Sequence, residues 1–142
     1  MAINYDAQST NKSKKVNRIY SDLDLDFGRN TVTNDVNKVE DVVAVKRSLR
    51  NLVQTNYYER PFQPELGCGV RGLLFEPLTP MTAIMLERKV EEVLTNYEPR
   101  AKINQIVARP DYDRNSYEIA IYFYVIGVAE PQVVTTFLER LR

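Results

Sequence analysis

YEIAIYFYVI, residues 117–126, alternates large apolar side chains with others at a period of two, placing Ile119, Ile121, Phe123 and Val125 on one side. Alternation of β-branched and aromatic residues predicts a half-buried strand. Residues 103–109 before it predict a second strand, joined through PDYDRNS, a run of turn formers. After it Gly127 and Pro131 frame another turn, and residues 132–141 predict a third strand. Spacing this short suits an antiparallel meander. As the last element in the sequence, the third strand is expected at the sheet margin, where unpaired N–H and C=O groups suit strand addition by a partner.

Upstream the period becomes helical. Thr79-Pro80 reads as an N-cap with proline in the first turn, and Ala83, Leu86, Val90, Val93, Leu94 and Tyr97 form a stripe that Pro99 ends. An earlier helix is expected from Asn37 to about Thr55, opened by an Asn37–Glu40 capping box and striped by Val39, Val42, Val43, Leu49, Leu52 and Val53. The chain therefore reads as α+β, two main helices packed on a small antiparallel sheet with an exposed C-terminal strand. Residues 1–17 are polar and aperiodic and are expected to form a flexible leader to one domain over 18–142. In IYSDLDLDF, residues 19–27, the alternation predicts an extended segment with Ile19, Leu23, Leu25 and Phe27 on an apolar face. Its three aspartates lack the glycine turn that wraps oxygen ligands around a cation, so no metal site is expected.

Between the helices lies ERPFQPELGCGVRGLLFEP, residues 59–77, with the only cysteine, three of the five glycines and three of the seven prolines. That density of fixed backbone predicts a loop of one specific shape, built on Arg60, Pro61, Phe62, Pro64, Glu65, Gly67 and Cys68. Phe62 and Leu66 are its expected core anchors. VRGLLFEPL is expected to make a short helical turn burying Leu73, Leu74 and Phe75. Residues 67–72 fit GxGxxG, but the two preceding prolines exclude the buried strand that a dinucleotide site requires.

Composition narrows the chemistry. With 142 residues and 44% hydrophobic content, a single core is expected. Lys plus Arg and Asp plus Glu are both 19, leaving no net field to attract nucleic acid or an anionic membrane. No apolar run is long enough to span a bilayer. One cysteine, Cys68, permits no disulfide within the chain, and a chain without histidine has no Ser-His or Cys-His pair. Neither a cofactor nor a catalytic residue is expected. Glu59, Glu65, Glu76 and Glu98 lie near loops, and surface ion pairs with Arg60, Arg71 and Arg100 are their expected fate.

The string ERPFQPELGCGVRGLLFEPLTP, then LERKVEEVLTNYEPRAKI, closely resembles the lysozyme-like baseplate wedge family of contractile-tailed bacteriophages, also called sheath initiators. That family has relatives in R-type bacteriocins and type VI secretion baseplates. The likeness extends upstream to VKRSLRNLVQT and weakly to IYSDLDLDF, while the strands after Lys102 match in pattern more than in letters. The resemblance implies a virion protein of the tail baseplate, assembled in the host cytoplasm, whose partners are wedge proteins, the tail sheath and the tail tube or hub. It implies that Glu98, Pro99 and Arg100 contact the wedge's helical core bundle. It also implies that the sheath docks on the last strand, through Val133, Val134, Thr135, Thr136, Phe137 and Leu138. A non-enzymatic assembly role is expected. The alternative is a carboxylate-dependent peptidoglycan hydrolase.

Overall fold

The computed structural model describes residues 19–139; the leader expected over residues 1–17 and the final residues 140–142 lie outside them. Three strands, β3 (Ala101–Asp111), β4 (Ser116–Val125) and β5 (Pro131–Glu139), form an antiparallel meander in the order β3-β4-β5. Alternation puts Tyr117, Ile119, Ile121, Phe123 and Val125 of β4 into the core, where they are wholly buried. Val134, Thr136 and Leu138 of β5 and Ile106 and Ala108 of β3 share that face. The first hairpin turn closes on Asp111, whose Oδ1 accepts from the N–H groups of Asp113 and Arg114, both at 3.1 Å. Helices cover the inner face.

The second long helix, α3 (Pro80–Tyr97), starts as its sequence predicts, with Thr79 Oγ1 accepting from Thr82 N–H at 3.2 Å. Ala83, Leu86, Val90, Val93 and Leu94 are buried, while Tyr97 remains partly exposed and donates its hydroxyl to the Glu65 carbonyl at 3.2 Å. Before it, α2 (Val70–Leu73) is a single turn. Leu74 is buried behind it and Leu73 partly so, but Phe75 points to solvent, against expectation.

The first helix departs from its predicted start. It is α1 (Asp41–Gln54), because Lys38–Glu40 form a short strand, β2, paired with β1 (Ser21–Leu23). Asn37 caps nothing. Asp41, at φ +48, opens the helix while its Oδ1 accepts from Ile19 N–H at 2.8 Å and Tyr20 N–H at 3.3 Å. A distant backbone has displaced the local cap. The buried stripe accordingly runs through Ala44, Val45, Leu49, Leu52 and Val53, and Val43 is exposed.

Of segment 19–27, expected to be extended throughout, only Ser21–Leu23 is a strand, residues 25–26 form a turn, and the apolar side chains face the other way. Ile19, Leu23, Leu25 and Phe27 lie largely exposed, while Asp22 and Asp24 are half-buried against the domain and Asp26 stays exposed. Asp22 meets Arg100, while Asp24 and Asp26 meet Arg47. The ion pairs decide the orientation of a segment too short to bury a face of its own.

Candidate functional site

Three local arrangements could carry function: the corner after α3, the loop between α1 and α2, and the free margin of β5. At the corner, Pro99 cannot continue the helix, so Glu98 caps α3 and Arg100 leads into β3. Arg100 Nε and Nη2 donate to the two Glu98 oxygens at 2.6 and 2.9 Å, and Nη1 donates to both Asp22 oxygens at 3.0 Å. The same guanidinium lies 5.7 Å from the centre of the Tyr20 ring. Glu98 is only 2% exposed. Burial alone would raise its pKa, yet hydrogen bonds from Arg100 and Ser48 and the guanidinium charge hold it below the ordinary glutamate range. Hydrogen bonds to Glu98 and Asp22 in turn raise Arg100 further above its usual value. The sequence suggested a surface pair here; the structure has a buried carboxylate held by a fork and a second acid 78 residues away.

This corner closes one end of an open groove of about 630 Å³. Pro99 and Arg100 line it together with Leu23, Leu25, Val39, Leu66 and Tyr97. Of the two rim leucines, Leu23 belongs to β1 and Leu25 to the turn that follows it. Sequence reasoning missed Tyr20, Asp22, Asp24 and Arg47. The signal that could have found them is the run of alternating aspartates, Asp22, Asp24 and Asp26. Among the described residues no cluster of acids, cysteine or histidine is placed to hold a metal ion.

The loop is held from within. Cys68 N–H donates to the Thr55 carbonyl at 2.8 Å and Tyr58 N–H to the Pro64 carbonyl at 2.9 Å. Glu59 accepts from the Asn56 backbone and side chain at 2.9 and 2.7 Å and pairs with Arg71 at 3.7 Å. Gly67 is required, since a Cβ there would lie 2.6 Å from the Asn56 carbonyl carbon. Gly69 is at φ +59 against the Tyr57 ring, whereas Gly72 has open space around it. The third glycine of GxGxxG thus lacks the close packing that the dinucleotide fold demands of it. Burial raises the Cys68 thiol to about 12, so it is inert rather than nucleophilic. Arg60, Pro61, Pro64 and Glu65 lie on the surface. Phe62 is no core anchor: it stands fully in solvent at φ +67, while Leu66 is the partly buried contact.

At the sheet margin, β5 pairs with β4 alone among the described residues, in unbroken register from Tyr124–Pro131 to Ser116–Glu139. Val133, Thr135 and Phe137 face solvent; Val134, Thr136 and Leu138 face the core. Beside the strand a recess of about 370 Å³ opens between Gln54, Val70, Arg71, Leu74 and the Phe137–Glu139 segment. The six residues named for the last strand therefore split into two faces. Those named at the corner instead form one unit.

Residues 39–129 match the family described as "Baseplate wedge protein gp25". A "Baseplate wedge protein gp25" of Enterobacteria phage T4 is 36% identical over 111 residues, 78% of this chain and 83% of that protein. Among solved structures, a Geobacter sulfurreducens protein described as a tail lysozyme superposes with a TM-score of 0.65 at 23% identity, covering 70% of this chain and 90% of that one. The sixfold-symmetrised baseplate of the anti-feeding prophage contains a chain with a TM-score of 0.61 at 20% identity, covering 87% of each. The two structural likenesses concern the fold.

Proposed function

Because the chain belongs to the family of baseplate wedge protein gp25, and so is a structural baseplate component of a phage's contractile tail, we propose that it joins the wedge to the tail sheath and nucleates the sheath by strand addition. It does so without catalysis, in a baseplate assembled in the host cytoplasm, beside the tail tube or hub. The observation that carries this reading is the margin of β5, whose outward backbone groups have no strand beside them among the described residues. The adjoining recess supports it, offering Val70 and Leu74 to a side chain of an incoming strand. The wedge contact is at Glu98, Pro99 and Arg100. Since Arg100 spends its fork on Glu98 and Asp22, the corner acts by holding the groove's shape. Leu23 and Leu25 on its rim supply apolar area for a wedge helix.

Removing β5 outright would strip Val134 and Leu138 from the core, so the test must spare the fold. Proline at an outward position removes one donor from the free margin without breaking the ladder to β4. Thr135→Pro is expected to give a folded protein that no longer seeds sheath polymerisation in a purified assembly reaction. Thr136→Pro is expected to unfold it. Normal seeding by folded Thr135→Pro protein would overturn strand addition. Leu25→Ser should weaken capture of the wedge complex with Tm unchanged; undiminished capture would remove the groove from the reading.

A further inference from the structure

The sheet has two margins, and they differ. Ala108 N–H donates to Glu87 Oε1 of α3 at 2.8 Å, so it points away from β4. In an antiparallel ladder the backbone groups alternate sides, so Ile106 and Pro110 also face outward from β3. Pro110 has no N–H to offer. Continuing past the register shift between Ile103 and Gln105, Ile103 and Ala101 face outward too, and Ala101 N–H is taken by the Glu98 carbonyl at 3.2 Å. Among the described residues, only the outward donors of Ile103 and Ile106 are left, and they lie on opposite sides of a bulge that breaks the regular frame. The same alternation, carried across Ile119 to its partner Thr136, leaves Val133, Thr135 and Phe137 facing outward on β5. None of these three has its N–H bonded by a side chain among the described residues.

We infer that the sheet is one-sided: β5 accepts a single extended strand per subunit, while Glu87, Pro110 and the bulge at Asn104 close β3 to any strand. Glu87 is the gatekeeper. Its carboxylate occupies a donor that a second strand would need, and it brings a charge to the margin. This deepens the strand-addition reading and rests on it, because it assigns the partner to one margin and a stoichiometry of one. A subunit with both margins open could join copies of itself into a continuous sheet; one closed on β3 can only begin a lattice of another protein.

The test opens the closed margin. Full-length wild-type protein, Glu87→Ala, Glu87→Gln and the Glu87→Ala/Pro110→Val double variant are compared by amide exchange and sedimentation velocity. Glu87→Ala should speed exchange at Ala108 about tenfold or more, the worth of a charge-assisted hydrogen bond. Glu87→Gln keeps an acceptor oxygen and should largely restore protection. The double variant should sediment as dimers or larger species at concentrations where wild type does not. Unchanged Ala108 exchange in Glu87→Ala, or a folded double variant that sediments like wild type, overturns the inference. If the double variant does not fold, the Ala108 exchange decides. An inert opened β3 alongside a defective Thr135→Pro variant would sink one-sidedness and leave strand addition standing; the reverse pair of results would sink strand addition, and with it the role given to β5, leaving only the closure of β3.

Discussion

Arg100 is the residue on which the corner turns. Its guanidinium satisfies both oxygens of a carboxylate that is otherwise sealed from water. Removing one partner of a buried pair leaves an uncompensated charge, so Arg100→Ala should cost about 3 kcal/mol in urea unfolding. Arg100→Lys should recover only part of that, because an ammonium cannot form the fork. The pH dependence has a definite sign. Glu98 titrates lower in the folded chain than in the unfolded one, so its contribution is complete above the ordinary glutamate range. It is lost as pH falls through the lowered folded value. Wild type should therefore lose stability below about pH 4.5, and Glu98→Gln should flatten that limb. An equally steep acid limb in Glu98→Gln would move the effect to other carboxylates, such as Asp24, which its Arg47 hydrogen bond also holds low.

At the scale of elements, what could be read in advance was whatever local chemistry decides. The start of α3 was legible because Thr79 caps it and Pro80 suits its first turn, and its end because Pro99 stops it. The meander was legible because Ile119, Ile121, Phe123 and Val125 have one burial period and turn formers flank them. The start of α1 was not. Asn37 and Glu40 match a capping box, but Tyr20 and Asp41 form a pairing across 21 residues that no local window contains. The reversal of segment 19–27 has the same origin, since its polar face is chosen by Arg47 and Arg100. Of the candidate site, the corner residues and the marginal strand were legible; the fork, the groove and the blocked β3 margin depend on distant partners. If ion pairs hold β1 in place, Asp22→Asn should raise amide exchange across Ser21–Leu23 and Lys38–Glu40. It should cost less than about 1 kcal/mol globally, because the pair is half exposed. A loss as large as that of Arg100→Ala would mean β1 is integral to the core rather than pinned onto it.

Taken whole, the molecule uses its carboxylates to fix shape. Glycoside hydrolysis requires one carboxyl group kept protonated near neutral pH and a second placed about 5–9.5 Å from it. Here the two loop acids with defined partners are driven the opposite way: Glu59 by Asn56 and Glu98, despite its burial, by Arg100, both below the ordinary range. Glu65 and Glu76 lie in the open on the surface. Phe62 likewise faces outward, in a left-handed conformation at φ +67. Purified protein should thus leave the turbidity of a peptidoglycan suspension unchanged at every pH from 4 to 8. Clearing that disappears in Glu65→Gln or Glu76→Gln would establish the hydrolase and displace the scaffold. Clearing that persists in both variants would point to a contaminating activity, which a second purification through an affinity tag would remove.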